Sequence, residues 1–207
     1  MPLRRYMPLR RYMPALIFGA LLAGNIGRAA EQPPLPAVSS LKISVVDYRV
    51  PELSLIRDDG KKVSTTQEFD DGRPVFLNFI FTSCPGICPL LSESFRQLQT
   101  KLGDERSKVH MVSISIDPEE DTPRKLREYA DRFRAGPQWQ HYTGSVAASL
   151  AMQRAFGVYN GDKMSHAPVT FFRATPSAPW TQLKGFATAN DLVRAYELGS
   201  TQLMGSR

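Results

Sequence analysis

The stretch NFIFTSCPGICPLL, residues 78–91, holds the only two cysteines of the chain, Cys84 and Cys88. Its continuous apolar lead-in predicts a buried central strand over 73–81, and apolar residues at helical spacing predict a helix over 89–103. The pair therefore falls where a strand ends and a helix begins. A redox dithiol, a metal site and a local disulfide staple are the three candidate uses.

Further elements are predicted on both sides of this junction. Residues 53–66 predict a β-hairpin around the Asp59–Gly60 turn. Asp121 or Thr122 is the expected cap of a helix that Pro123 opens. The remaining predicted elements are strands at 108–117, 167–174 and 181–186 and helices at 121–133, 145–157 and 188–203. This order predicts an α/β chain with a thioredoxin-like fold and an added N-terminal β-hairpin.

The basic charge of the chain lies mostly at its start. Of a formal net charge of +6 over 207 residues, five arginines contribute +5 within residues 1–30, where no acidic residue occurs. The remainder is therefore only +1, which gives no basic patch and argues against a nucleic-acid partner.

The first 44 residues predict an exported protein. A basic start, an apolar core over 15–24 and small residues after it predict a signal peptide at 1–30. Residues 31–44 predict a Pro-rich linker, and 45–207 the thioredoxin-like domain. The expected location is the periplasm, with membrane attachment through an uncleaved leader as the alternative.

The position of the cysteines predicts reactive thiols. A helix N-terminus favours negative charge, so the pKa of both thiols is expected to fall below the ordinary ~8.5. Residues i and i+4 share one face of a helical turn, so the sulfurs of Cys84 and Cys88 can meet on one ion or form one disulfide. The spacing thus leaves redox chemistry and metal binding open, and a third ligand would favour the metal.

The chain has three histidines that could supply that ligand. His110 is expected to be a strand residue and His141 a surface loop residue. His166 directly precedes a strand that is expected to run beside the cysteine-bearing strand. Two thiols and an imidazole suit Cu(I), or Cu(II) with an added oxygen ligand, whereas a structural zinc site would need a fourth ligand.

Two further residues lie near this candidate site in the sequence. Asp117 ends the predicted strand 108–117 and is expected either to orient a ligand or to serve as a turn residue. Met164, two residues before His166, is either a soft contact or an ordinary loop residue, and the loop interpretation is favoured.

Four segments resemble the SCO/SenC family of copper proteins. NFIFTSCPGICPLL resembles its C-P-x-x-C-P motif, and VSISIDPEEDTPRKLREYADRF (112–133) resembles its S-x-D-P-x-x-D-T-P segment. SHAPVTFF (165–172) resembles the stretch with its histidine ligand, and PELSLIRDDGKKVST (51–65) its N-terminal hairpin. The resemblance covers roughly residues 50–200.

This resemblance implies copper bound by Cys84, Cys88 and His166. It implies delivery of copper to the binuclear copper site of cytochrome c oxidase, or reduction of the cysteines of that site before it receives metal. The implied partners are the oxidase subunit that carries the site and a periplasmic copper donor or thiol reductant. The protein is then mainly a metal-binding assembly factor.

Two departures from the family pattern favour thiol chemistry. Ser165 stands where the family often has an aspartate, and Ala167–Pro168 resembles the X-Pro turn of thioredoxins, which is often cis. The alternative function is therefore a thiol–disulfide reductase of copper-site proteins, with Cys84 and Cys88 as the redox pair. A peroxiredoxin-type peroxidase is disfavoured because its P-x-x-x-T-x-x-C lead-in is missing, and an inert staple is disfavoured because nothing local needs one.

Overall fold

The computed structural model describes residues 40–205, which form a mixed eight-stranded sheet with helices on both faces. The predicted signal peptide and residues 31–39 of the predicted linker lie outside the described residues. The strands are β1 (Lys42–Val46), β2 (Ser54–Arg57), β3 (Lys62–Ser64), β4 (Val75–Ile80), β5 (His110–Ser115), β6 (Trp139–Gly144), β7 (Val169–Arg173) and β8 (Trp180–Lys184). The helices are α1 (Thr65–Phe69), α2 (Ile87–Leu102), α3 (Pro123–Arg132), α4 (Val146–Ala155) and α5 (Ala189–Gly205), with 3-10 turns at Gly103–Lys108 and Lys163–Ser165.

The sheet has the strand order β1-β8-β7-β4-β5-β6-β2-β3. At its centre, β4 pairs in parallel with β5 and antiparallel with β7. Strand β6 continues the parallel part beyond β5, and the β2–β3 hairpin attaches to β6. This arrangement is the predicted thioredoxin-like α/β fold with its N-terminal hairpin.

Strand β4 is buried at every residue because helices cover both faces of the sheet. Val75, Leu77 and Phe79 pack in the cluster that contains α1 and α4 side chains. Phe76 and Ile80 point to the opposite face, where they pack with side chains from α2, α3 and α5. Two-sided burial accounts for the continuous apolar run that predicted this strand.

Two strands were missed by the sequence patterns. Strand β1 covers residues 42–44 of the predicted linker, so that part of the linker prediction is wrong; it pairs with β8 as an edge strand. Strand β6 has no strand pattern in the sequence because its residues, WQHYTG, are mostly polar or amphipathic. Across residues 40–205, no helix combines the length and the apolar content needed to cross a bilayer.

The expectation that His141 is a surface loop residue is wrong. His141 lies in β6 and is fully buried, because its ring packs 5.1 Å from the Trp139 ring and 6.0 Å from the Tyr129 ring. Burial lowers the pKa of His141 to about 3. The side chain is therefore a neutral core residue and has no place in a surface metal site.

This burial predicts a pH-dependent stability. The unfolded chain protonates His141 below pH ~6.5, whereas the folded chain keeps it neutral down to its lowered pKa. The stability contribution is thus present above pH ~6.5 and is lost as the pH falls, by about 1.4 kcal/mol per pH unit. His141→Phe should reduce the slope of unfolding free energy between pH 6 and 5 by about that amount, measured by urea unfolding. An unchanged slope would contradict the assignment.

Candidate metal centre

The two cysteines lie in and just after the turn that follows β4. The amide of Cys84 donates to the Phe81 carbonyl at 3.2 Å. Helix α2 begins at Ile87, and the amide of Cys88 donates to the Cys84 Sγ at 3.5 Å. Cys84 therefore precedes the helix, which differs from the predicted i,i+4 pair within one helical turn. The turn nevertheless brings the pair together at the helix N-terminus.

The two thiols differ in environment. Cys84 is half-buried, whereas Cys88 is buried in an apolar cluster with Ile80, Phe81, Leu126 and Tyr129. Burial, followed by a hydrogen bond with the Cys84 side chain, raises the pKa of the Cys88 thiol. The expectation of a lowered pKa is therefore wrong for Cys88, because loss of hydration outweighs the helix N-terminus. The half-buried Cys84 is the more accessible sulfur.

A buried carboxylate holds the cysteine turn in place. Asp121 is fully buried and accepts hydrogen bonds from the Thr82 amide at 3.2 Å and from the Thr82 hydroxyl at 2.5 Å. It also accepts from the Ser115 hydroxyl at 2.6 Å. These bonds tie the residue two positions before Cys84 to the end of β5. Thr122, whose hydroxyl accepts from the Lys125 amide, is the N-cap of α3.

Asp121 is not the helix cap that the sequence predicts as one of two candidates; it holds the cysteine turn instead. Its place in the D-P-x-x-D-T-P segment was the available signal. The bonds to Thr82, however, join residues 39 positions apart, and no local pattern shows a contact of that range.

The ring of His166, in the loop before β7, is hydrogen-bonded to β4, the strand that leads into the cysteine turn. Its Nε2 lies 3.0 Å from the carbonyl of Phe79, just beyond Asn78, where the pairing of β4 with β7 ends. Because a carbonyl only accepts, Nε2 carries the hydrogen and a neutral ring has its lone pair on Nδ1. Burial lowers the pKa of His166, although the bond to Phe79 acts in the opposite direction. The ring is therefore neutral and oriented, with Nδ1 as the nitrogen left for a metal.

Asp117 lies at the same end of the sheet and contacts the loop that carries His166. Its Oδ2 accepts from Lys163 Nζ at 2.5 Å. Asp117 and His166 also line one cleft of about 420 Å³, which neither cysteine lines. Asp117 thus bonds a neighbour of His166 rather than the imidazole itself. Met164 is 62% exposed.

The predicted ligands share one end of the sheet but are not assembled. Cys84 and Cys88 are in contact, and the His166 ring bonds the Phe79 carbonyl near the end of the strand that precedes them. Within residues 40–205, however, no three His, Cys, Asp or Glu side chains are grouped closely enough to hold a metal ion. We therefore expect binding by all three predicted ligands to involve a movement of the turn or of the histidine loop.

Both departures from the family pattern have local structural roles. The Ser165 hydroxyl donates to Asp162 Oδ2 at 2.8 Å, within the histidine loop. The Ala167–Pro168 peptide bond is trans. The Pro168 carbonyl accepts from the Gly185 amide at 2.9 Å, which places it in the β7–β8 hairpin. The sequence left the isomer of the Ala167–Pro168 bond open, and the X-Pro turn of this chain is trans.

Fold and site together define a thioredoxin-like protein with a cysteine pair and a histidine at one end of its central strand. The family model described as SCO1/SenC matches residues 47–174, more than half of the chain, and the chain belongs to that family. The SCO1 protein homolog of Bacillus subtilis is 35% identical over 100 residues, 48% of this chain and 51% of that protein. The matched segment thus spans about half the length of that curated relative.

Solved structures show the same likeness. The crystal structure of Arabidopsis thaliana ScoI with copper bound is 28% identical, with a TM-score of 0.61 over 73% of this chain and 98% of that one. BsSco, described as having a disulfide switch and as a member of the Sco family of cytochrome c oxidase assembly proteins, is 25% identical. Its TM-score is 0.65 over 78% of this chain and 98% of that one.

Removing the Asp121 carboxylate should loosen the cysteine turn. Asp121→Ala leaves the Thr82 and Ser115 donors without their acceptor, which is expected to cost about 2–4 kcal/mol in unfolding free energy. Cys84 should also react faster with a thiol reagent under native conditions. The exposed Asp131 on α3 provides the control Asp131→Ala, which should change neither property. Equal effects of the two substitutions would show that Asp121 does not hold the turn.

Proposed function

We propose that this protein binds copper through Cys84, Cys88 and His166. The observation that carries the proposal is that β4 positions both the cysteines and the histidine. The strand leads into the cysteine turn, and its Phe79 carbonyl accepts a hydrogen bond from the His166 ring. One buried strand thereby places all three candidate ligands at the same end of the sheet.

The donor set fits copper. Two sulfurs and one imidazole nitrogen form a soft-to-borderline set, which suits Cu(I) and, with an added oxygen ligand, Cu(II). The hydrogen bond from His166 Nε2 to a backbone carbonyl is the kind that fixes ring orientation in metal-ligating histidines. Relatives with copper bound, such as ScoI of Arabidopsis thaliana, support the same choice.

The surroundings of the site suit a protein that takes up copper and later releases it. Half-buried Cys84 is the sulfur that an incoming ion or partner reaches first, and Cys88 lies behind it in an apolar cluster. Cys88 must lose its proton to bind a metal, and burial opposes that loss. Copper is thus cargo, held by two thiolates and a loop-borne imidazole.

The proposed destination is the binuclear copper site of cytochrome c oxidase. Its support is the membership of the SCO1/SenC family together with the description of BsSco as one of the cytochrome c oxidase assembly proteins. The leader-like residues 1–30 support export to the periplasm. The oxidase subunit that carries the site is the proposed acceptor.

Loss of His166 should weaken copper binding. His166→Ala is expected to lower the affinity for Cu(II) by about 100-fold or more, because loss of a residue that only orients a ligand already costs about 10- to 100-fold. Competition titration with a chelator measures the affinity, and the thiolate-to-Cu(II) absorption band reports the geometry. Met164→Ala is the matched control, since this exposed side chain lies on the same loop. Unchanged affinity in His166→Ala would contradict the three-ligand site.

A second function, thiol–disulfide exchange, is favoured by the unequal cysteines. In this reaction the Cys84 thiolate attacks a partner disulfide and forms a mixed disulfide, with one partner sulfur leaving as a thiol. Cys88 then attacks Cys84, which releases the second partner thiol and leaves a Cys84–Cys88 disulfide for an external thiol reductant to reopen. A half-buried attacking thiol next to a buried resolving thiol suits this sequence.

The two thiols should differ in reactivity. Cys84 is expected to react with iodoacetamide at least about tenfold faster than Cys88 in the folded, metal-free protein, because Cys88 is buried and its pKa is raised. Mass spectrometry of time points resolves the two modified peptides, and unfolding in urea should remove the difference. Equal rates in the folded protein would contradict these roles.

A further inference from the structure

The segment 157–166 between α4 and β7, here called the His166 loop, is braced by its own side chains. Asp162 accepts hydrogen bonds from the Met164 amide at 2.9 Å and from the Ser165 hydroxyl at 2.8 Å. Asn160 donates to the Ser165 carbonyl at 2.7 Å. These contacts make the second half of the loop a unit that carries His166 with it.

Two polar contacts join this unit to the carboxyl ends of the central strands. Lys163 Nζ donates to Asp117, which follows β5, at 2.5 Å, and His166 Nε2 donates to Phe79 of β4 at 3.0 Å. Lys163 Nζ also lies 5.8 Å from the centre of the Phe81 ring, at the start of the cysteine turn. Lys163 therefore connects the His166 loop to the residue after β5 and lies near the start of the cysteine turn.

The cysteine half of the site is held more firmly than the histidine half. Fully buried Asp121 fixes Thr82 by three hydrogen-bond contacts, and Cys88 belongs to helix α2. The Lys163–Asp117 ion pair, in contrast, has a Lys163 side chain that is 42% exposed. Since buried contacts hold the cysteine turn, a movement that brings the three candidate ligands together is expected in the His166 loop.

We propose that Lys163 is a positioning residue whose ion pair with Asp117 holds the His166 loop and limits how fast His166 joins the cysteines on copper. The inference rests on the proposed copper-binding function. Lys163 itself is not a ligand; it acts through Asp117 on the loop. Loosening the ion pair should let the loop move more often without changing the cysteine turn.

The first experiment needs no metal. Lys163→Met keeps an unbranched side chain and removes the charge. Amide hydrogen exchange of residues 158–166 should then be about threefold faster than in the unaltered protein. Residues 83–88, which Lys163 does not contact, should exchange at the same rate in both. Lys163→Arg, which retains the charge, should restore most of the protection.

A neighbouring ion pair supplies the matched control. Lys125 pairs with Glu120 at 3.1 Å, and its side chain is 41% exposed, close to the exposure of Lys163. Lys125→Met therefore removes a comparable charge near the same rim without touching the His166 loop. Its exchange rates over 158–166 should match those of the unaltered protein.

The second experiment uses Cu(II) alone as the probe. Stopped-flow absorbance should resolve a step that is absent in His166→Ala, and Lys163→Met should speed that step about threefold while Lys125→Met leaves it unchanged. Unchanged exchange in Lys163→Met, or faster exchange with an unchanged copper step, would overturn the proposal. Failure of the unaltered protein to bind Cu(II) would instead contradict the proposed function, because the exchange comparison is made without metal.

Discussion

Two-sided burial of strand β4 is the constraint on which the rest of the structure depends. Every residue from Val75 to Ile80 is buried, with alternate side chains packed against helices on opposite faces. Such a strand cannot slip in register without moving apolar side chains into the wrong layer. The carboxyl end of β4 therefore has a defined position, and it sets the positions of the cysteine turn and of His166.

The candidate site at this end of the sheet has a cysteine half and a histidine half, which are held by different contacts. On one side, buried Asp121 and helix α2 hold the turn that contains Cys84 and the start of the helix that contains Cys88. On the other, His166 lies in a loop whose second half contacts the ends of the central strands through the Lys163–Asp117 ion pair and the hydrogen bond of the His166 ring to the Phe79 carbonyl. The proposed function requires copper to be both captured and released, and a firmly held cysteine pair with the third proposed ligand on a loop fits both requirements. Disulfide exchange, the second proposed function, uses the same two cysteines, so their spacing alone does not separate the two chemistries.

Much of the fold could be predicted because its central elements follow local patterns. The apolar run before Cys84 predicted β4, Pro123 marked the start of α3, and the Asp59–Gly60 turn marked the hairpin. Strand β6 was missed because a histidine and a glutamine interrupt its apolar pattern, and His141 is buried only because the Trp139 and Tyr129 rings enclose it. The pKa of Cys88 was misjudged for a related reason, since the sequence shows the helix N-terminus but not the apolar cluster around the thiol.

The sequence by itself determined the candidate ligands and the order of the elements that carry them: two cysteines four residues apart after a buried strand, and one histidine before a later strand that pairs with it. Those features are local in the chain, so composition and spacing reveal them. Tertiary structure decided which sulfur is accessible, which ring nitrogen of His166 is left for a metal, and which residues hold each half of the site. Those properties depend on contacts such as Asp121 with Thr82 and Lys163 with Asp117, which join residues 39 and 46 positions apart. Only folding brings such partners within hydrogen-bonding distance.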